Sequence, residues 1–287
     1  MNVVKTKHRL TRCMWIAASI VTLAGNAGAS TCQSAAPYDL TNVKSQVIML
    51  GELHGTNEFP ALASSILCSL TETNRRVIFG LEISKSEQKV LTEYMNSSGG
   101  ANDRQKLLRG DHWARGMQDG RSSHAMFKLI EAARQMRASG AKVMLDAFSS
   151  SASDYLEPIE VGEAFTQSAY EALAAAHIES RLYQYPDALY FVFVGRVHAS
   201  KQVVMVGKNQ VETMAYQLNK RVPVHSITAN YSGGTAWTCN GPSAGSCAAR
   251  DLEAYRKEPT GTDFDTYIEL NRITVSPPML SPTSIGK

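Results

Sequence analysis

Short apolar runs alternate with segments of helical periodicity along the chain. The runs are Gln46–Leu50, Arg76–Gly80, Lys142–Leu145, Leu189–Val194, Val222–Ile227 and Thr266–Ile273. They are almost unbroken in aliphatic, β-branched and aromatic residues, the pattern of strands covered on both faces. Ser84 opens an S-x-x-E capping box with Glu87, and Val90, Leu91 and Tyr94 follow at helical spacing. Residues 122–138 carry Ala125, Met126, Leu129, Ile130, Ala133 and Met136 in a helical pattern that stops before Gly140. Residues 163–184 are Ala-rich and end before Pro186, and residues 209–220 predict one more helix. Strands alternating with helices predict an α/β fold with a largely parallel central sheet covered by helices. A small helical insertion is expected at 96–121, and a long, disulfide-clipped C-terminal loop at 230–262, where Gly, Ser and Thr abound.

The first 29 residues read as a secretory signal peptide. Lys5, Lys7, Arg9 and Arg12 precede the apolar run Met14–Ala24, and Ala27-Gly28-Ala29 has the A-x-A form of a cleavage site. That run is too short to span a bilayer comfortably, and no later segment is apolar enough, so no integral membrane segment is expected after cleavage. The remainder, 30–287, is expected to be a single α/β domain. The formal net charge is +3, but four basic residues and no acidic ones lie in the leader. The rest is close to neutral and gives no reason to expect a nucleic-acid partner. Cys32, Cys68, Cys239 and Cys247 remain after the leader, an even number suited to an oxidising compartment, hence a periplasmic or secreted location. Among three pairings, Cys239–Cys247 would clip the local loop, and Cys32–Cys68 would tie the mature N-terminus to a helix.

The candidate chemistry sits where the apolar runs end. Val47–Leu50 leads into Gly51-Glu52-Leu53-His54-Gly55, and Val77–Leu81 into Glu82. Val143–Leu145 leads into Asp146, and Tyr190–Val194 into Gly195-Arg196-Val197-His198. In open α/β sheets, ligands bind at the carboxyl ends of the strands. If residues 51–54 are still extended, Glu52 and His54 point to one side. Glu52, His54, Glu82 and His198 are therefore the candidate catalytic residues. Asp146 and Arg196 are candidate cleft-lining residues. Two histidines and two carboxylates have the donor types for a divalent metal such as Mn, Co or Zn. Without metal, a His oriented by a carboxylate could take a proton from water. Both routes lead to hydrolysis of a small-molecule or peptide substrate. No G-x-S-x-G, H-E-x-x-H, Walker A or G-x-G-x-x-G motif is present, and Ser64, Ser84, Ser149 and Ser200 lack a distinctive frame. His225 reads as a core residue of a strand and His177 as a helix-surface residue. His112 and His124 flank Arg115 and Arg121 near a cleft rim.

Gly51-Glu52-Leu53-His54, Leu81-Glu82 and Gly195-Arg196-Val197-His198, each after a strand and in this order, resemble the Tiki/ChaN-like superfamily over roughly residues 44–230. That group joins Tiki-type metalloproteases, ChaN-type haem-binding proteins and erythromycin esterases. The resemblance implies an α/β core on which Glu52, His54, Glu82 and His198 converge. It implies a divalent metal for peptide hydrolysis in Tiki-like members, a metal-free His base in esterase-like ones, and bound haem without a firm reaction in ChaN-like ones. The last implies the alternative of a non-catalytic envelope haem- or metal-binding protein. His54-Gly55-Thr56-x-Glu58-Phe59 is similar to the esterase stretch, which makes Glu58 a further cleft-lining candidate. The chain departs from the pattern at Arg196, where small or amide residues are usual. An Arg-Asp pair is also missing from the helix before the last motif, which reads Ser168-Ala169-Tyr170-Glu171; Arg121 is the candidate replacement for its charge. Trp237, in the aromatic and glycine-rich stretch 231–237, is a candidate lid residue.

Overall fold

Six of the apolar runs form one parallel sheet in the computed structural model, which describes residues 40, 43–114, 119–150, 167–240, 246–258 and 262–280. The leader at 1–29 and Cys32 lie outside the described residues. The strands are β1 (Val47–Glu52), β2 (Val77–Ser84), β3 (Val143–Ser149), β4 (Leu189–Gly195), β7 (Val224–Asn230) and β10 (Thr266–Glu269). Their order is β10-β7-β1-β4-β2-β3, and every pairing is parallel. The α/β reading is thus borne out, with a sheet wound in two directions from β1.

Side-chain alternation divides the core into two layers. Ile48, Leu50, Phe79, Leu81, Phe191 and Phe193 face α1 (Glu58–Glu72), α2 (Gln88–Met95) and α5 (His124–Ala138). Val47, Met49, Ile78, Tyr190, Val192 and Val194 face α6 (Gln167–Gln184) and α8 (Met214–Asn219). The strands β1 and β4 are buried along their whole length, as the unbroken apolar runs require. Short helices α3 (Ala101–Leu108) and α4 (Asp111–Ala114) fill the expected insertion, and α7 (Arg196–Ala199) is a single turn directly after β4.

Three local expectations are corrected. The helix expected at 209–220 begins only at Met214, capped by the Thr213 hydroxyl, which accepts from Tyr216 N–H. Residues before it form an antiparallel hairpin, β5 (Val203–Val206) and β6 (Asn209–Glu212), turning at Gly207 with φ +64°. Ser84 accepts from Ser86 N–H in a short 3₁₀ turn, while Glu87 takes His112 N–H instead of closing a capping box. The stretch expected as a loop holds a second hairpin, β8 (Gly234–Cys239) with β9 (Cys247–Leu252), closed by the Cys239–Cys247 disulfide. Cys68 on α1 is also disulfide-bonded.

The outer edge of β3 is closed by side chains. Gln88 donates to Leu145 O (3.1 Å) and accepts from Ala147 N–H (2.7 Å), while Arg137 donates to Val143 O (2.8 Å).

Gly55 ties the turn after β1 to two distant segments. Its carbonyl accepts from Trp237 N–H (3.0 Å) and Ser276 N–H (2.8 Å). Its φ is +73°, and a Cβ there would overlap the Trp237 carbonyl oxygen. Gly55→Ala is expected to cost about 1–3 kcal/mol, read as a lower melting temperature; an unchanged melt would show that this turn is not a fixed anchor.

Candidate functional site

Parallel strands β1, β2 and β4 end side by side, which brings three motifs together at the carboxyl edge. Glu52 is the last residue of β1 and pairs with Gly195, the last of β4. His54 lies two residues on, and its Nδ1 is 2.8 Å from Glu52 Oε1, the N–H donating to the carboxylate. Glu82 is on β2 and accepts from Gly195 N–H (3.0 Å) and Arg121 Nη1 (2.8 Å). His198 lies on α7, and its Nδ1 donates to Glu171 Oε1 at 2.6 Å. The two imidazoles then present Nε2 to the same Glu82 carboxylate, His54 at 3.7 Å and His198 at 3.8 Å. Neither distance is a hydrogen bond, so each Nε2 keeps its bonding capacity for a reactant. Gly195 lets this floor close up, since a Cβ there would sit 3.1 Å from His54 Nε2.

The site is largely shut off from solvent, with Glu52 4 % and Glu82 7 % exposed. Burial pushes the Glu52 carboxyl up, against the pull of His54. Burial alone would lower His54, but Glu52, helped by Glu82, outweighs it and holds the imidazole up at about 9. Burial would raise Glu82; His198, Arg121, His54 and the Gly195 N–H together bring it down to about 2. His198 is raised despite burial, by Glu82 and Glu171.

A cleft of about 640 Å³ opens above this floor, lined by Glu52, Leu53, His54, Asp119, Gly195–His198, Thr238 and Cys239. Arg121 and Arg196 stand at the site as expected positions. Arg121 is gripped by Asp119, with Nε 3.0 Å from both carboxylate oxygens and Nη2 2.6 Å from one. Arg196 lines the cleft with its guanidinium over the Tyr255 ring.

Three candidates lie elsewhere. Asp146 does not end its strand: β3 continues to Ser149, and Asp146 pairs with Gly80, two residues short of Glu82. It is buried beneath α6, hydrogen-bonded to Tyr190 Oη and His177 Nε2 (2.8 Å) and ion-paired with Arg181 (3.2 Å). Glu58 turns away at the start of α1 and accepts from Thr274 N–H (2.8 Å) and Thr274 Oγ1 (2.6 Å). Trp237 holds Gly55 by its backbone N–H, and the next two residues, Thr238 and Cys239, line the cleft in its place.

Sequence reasoning missed Glu171, Asp119 and Tyr170. Glu171 is fully buried on α6, accepting from His198, Gln167 Nε2 (2.6 Å) and Met214 N–H (2.8 Å). It shares a helical stripe with Ala174, Ala175, Ile178 and Leu182, so a carboxylate on an apolar face was the available signal. The Tyr170 ring lies 5.3 Å from the His198 ring. His112, lowered to about 4 by burial, stays neutral and donates Nε2–H to Arg121 O (3.0 Å). His225 is half-buried in β7, with Nε2 3.2 Å from Thr266 Oγ1. His177, expected on the helix surface, is instead committed to Asp146. His124 is exposed at the start of α5.

The donors do not fit a resident divalent metal. Among the described residues, no group of three or more His, Cys, Asp and Glu side chains has the arrangement to hold one. Glu52 and Glu171 are bound to the imidazoles, and the Arg121 guanidinium already neutralises Glu82 at the place a cation would occupy.

The geometry defines an α/β protein with a cleft lined by Glu and His side chains at the carboxyl edge of a doubly wound parallel sheet. No protein-family model and no curated protein sequence matches the chain. Solved structures match its fold. A succinoglycan biosynthesis protein superposes with a TM-score of 0.60 at 11 % identity, over 84 % of this chain and 93 % of that one. A mutant erythromycin esterase in its open conformation gives 0.57 at 14 %, over 75 % and 78 %. A Bacillus cereus protein gives 0.56 at 12 %, over 88 % and 95 %. The likeness is one of fold, and an erythromycin esterase is among the proteins that share it.

Glu82→Gln leaves Arg121 with one carboxylate partner fewer and is expected to cost about 3–5 kcal/mol at pH 7. The folded-state pKa is depressed, so this stabilisation is present above the ordinary 4.5 and lost as pH falls through about 2. Denaturant melts of both proteins from pH 7 to pH 2 should therefore converge at the acid end; parallel curves would refute the assignment.

Proposed function

We propose that the protein is a hydrolase that activates water with His54 and cleaves an ester or peptide bond of a substrate held in the cleft. The observation that carries this reading is the Glu52–His54 hydrogen bond. It fixes the tautomer in which Nδ1 carries the proton and Nε2, once neutral, is the base. His54 Nε2 takes a proton from water as the water oxygen bonds to the carbonyl carbon, and the π pair moves onto the carbonyl oxygen. His198, its pKa raised by Glu82 and Glu171, faces the same space and in its protonated form donates to the oxygen where charge collects. Collapse of the intermediate expels the alcohol or amine, which receives the proton from His54. Glu52, Glu82, Glu171 and Arg121 are positioning residues. The cleft volume suits a small molecule or a short peptide segment, and the erythromycin esterase of like fold is named for ester chemistry on a small molecule. The basic and apolar leader and the disulfides support a periplasmic or secreted location.

The base must be neutral, and its pKa is held near 9, so kcat/KM should rise with pH and level off at about 9. In Glu52→Gln the limb should move toward 6.5 and the plateau fall. His54→Asn should lose about 10²–10⁴-fold in kcat with its circular dichroism unchanged. Hydrolysis of a panel of nitrophenyl esters checks all three; full turnover in His54→Asn ends this mechanism. Visible absorption of the same purified sample distinguishes the ChaN-type alternative, because a stoichiometric Soret band with no turnover would replace hydrolysis by haem binding.

A further inference from the structure

Among the described residues, the charged groups of the cleft are paired with one exception. Glu52 holds His54, Asp119 holds Arg121, and His198 is held by Glu171. Arg196 has no carboxylate partner among the described residues, although it lines the same cleft directly after Gly195. Its Nη1 is closed off from solvent without a hydrogen-bond partner.

The guanidinium is also held still. Its carbon lies 3.7 Å from the centre of the Tyr255 ring. Tyr255 stacks on Tyr231 at 5.7 Å and pairs with its backbone by two hydrogen bonds, of 2.9 and 3.0 Å. Tyr231 in turn meets Phe59 edge-on at 6.4 Å. A long cationic side chain therefore pays little further rotamer entropy on binding. The stack leaves the in-plane N–H groups to bond a planar partner, the geometry that a carboxylate matches with two oxygens.

We propose that Arg196 is the specificity residue of the cleft and that the substrate carries a carboxylate on the side remote from the bond that is cut. One uncompensated cation matches one negative charge. This deepens the hydrolase reading and rests on it for the reaction, though not for the binding of the anion.

Two esters with the same leaving group test the idea: the mono-p-nitrophenyl ester of glutaric acid, and neutral p-nitrophenyl butyrate. The native protein should favour the anionic ester by about tenfold to a hundredfold in kcat/KM, mostly through KM. Arg196→Gln should bring the ratio close to one, and Arg196→Lys, which keeps the charge but not the fork, should restore part of it. A residue that only braced the wall would change both esters alike and leave the ratio where it was, which would overturn the proposal. If neither ester is cut, calorimetry with glutarate and with glutaramide decides Arg196 separately from the hydrolase reading. Binding of glutarate alone, lost in a folded Arg196→Gln, supports the site; equal binding of the diamide, or none of either, overturns it.

Discussion

Glu82 is a carboxylate buried at the end of a central strand, and so much charge in so dry a place has to be answered from several directions at once. Arg121 answers it from the loop before α5, the Gly195 N–H from the end of β4, and two imidazoles from the ends of β1 and β4. Each of these partners then needs its own support. Asp119 grips Arg121, Glu52 holds His54, and Glu171 holds His198. Neutral His112 braces the Arg121 carbonyl. Removing solvent from one group thus imposes positions on residues from four segments of the chain, and it explains why two histidines gather at a single carboxylate.

Much of the fold could be read directly, because strands covered on both faces leave almost unbroken apolar runs and helices leave a different period. Glu52, His54, Glu82 and His198 could be picked out for the same reason: each follows such a run, and parallel pairing puts run-ends together. Asp146 shows the limit of that logic. Its strand continues through Ala147-Phe148-Ser149, so the same motif appearance places it under α6 rather than at the edge. Glu171 shows the converse. It lies in a helix read only as Ala-rich, and its role appears only when α6 is laid over the end of β4. The hairpins at 203–212 and 234–252 were hidden for a third reason. β5 and β6 are mostly exposed and β8 and β9 only partly buried, so neither hairpin leaves a long apolar run; the first turns at Gly207 and the second is closed by a disulfide.

The two faces of the sheet show how one chemistry serves two ends. At the carboxyl edge, carboxylate and imidazole meet beside an open cleft and keep a free nitrogen apiece. Two residues deeper, Asp146 takes a hydroxyl, an imidazole and a guanidinium, and these contacts fasten α6 to the sheet. The difference lies in strand position, not in residue type.

Among the described residues the sheet ends on one side in β3, a seven-residue strand with no neighbour beyond it. An unpaired strand of that length is a template on which another chain can lay its backbone. Here the Gln88 carboxamide imitates a peptide group, giving a donor to Leu145 and an acceptor to Ala147, while Arg137 takes Val143 O. An incoming strand would have to displace these bonds before gaining its own. The protein therefore carries its own guard against edge-to-edge aggregation, built from two helix side chains rather than from an additional strand.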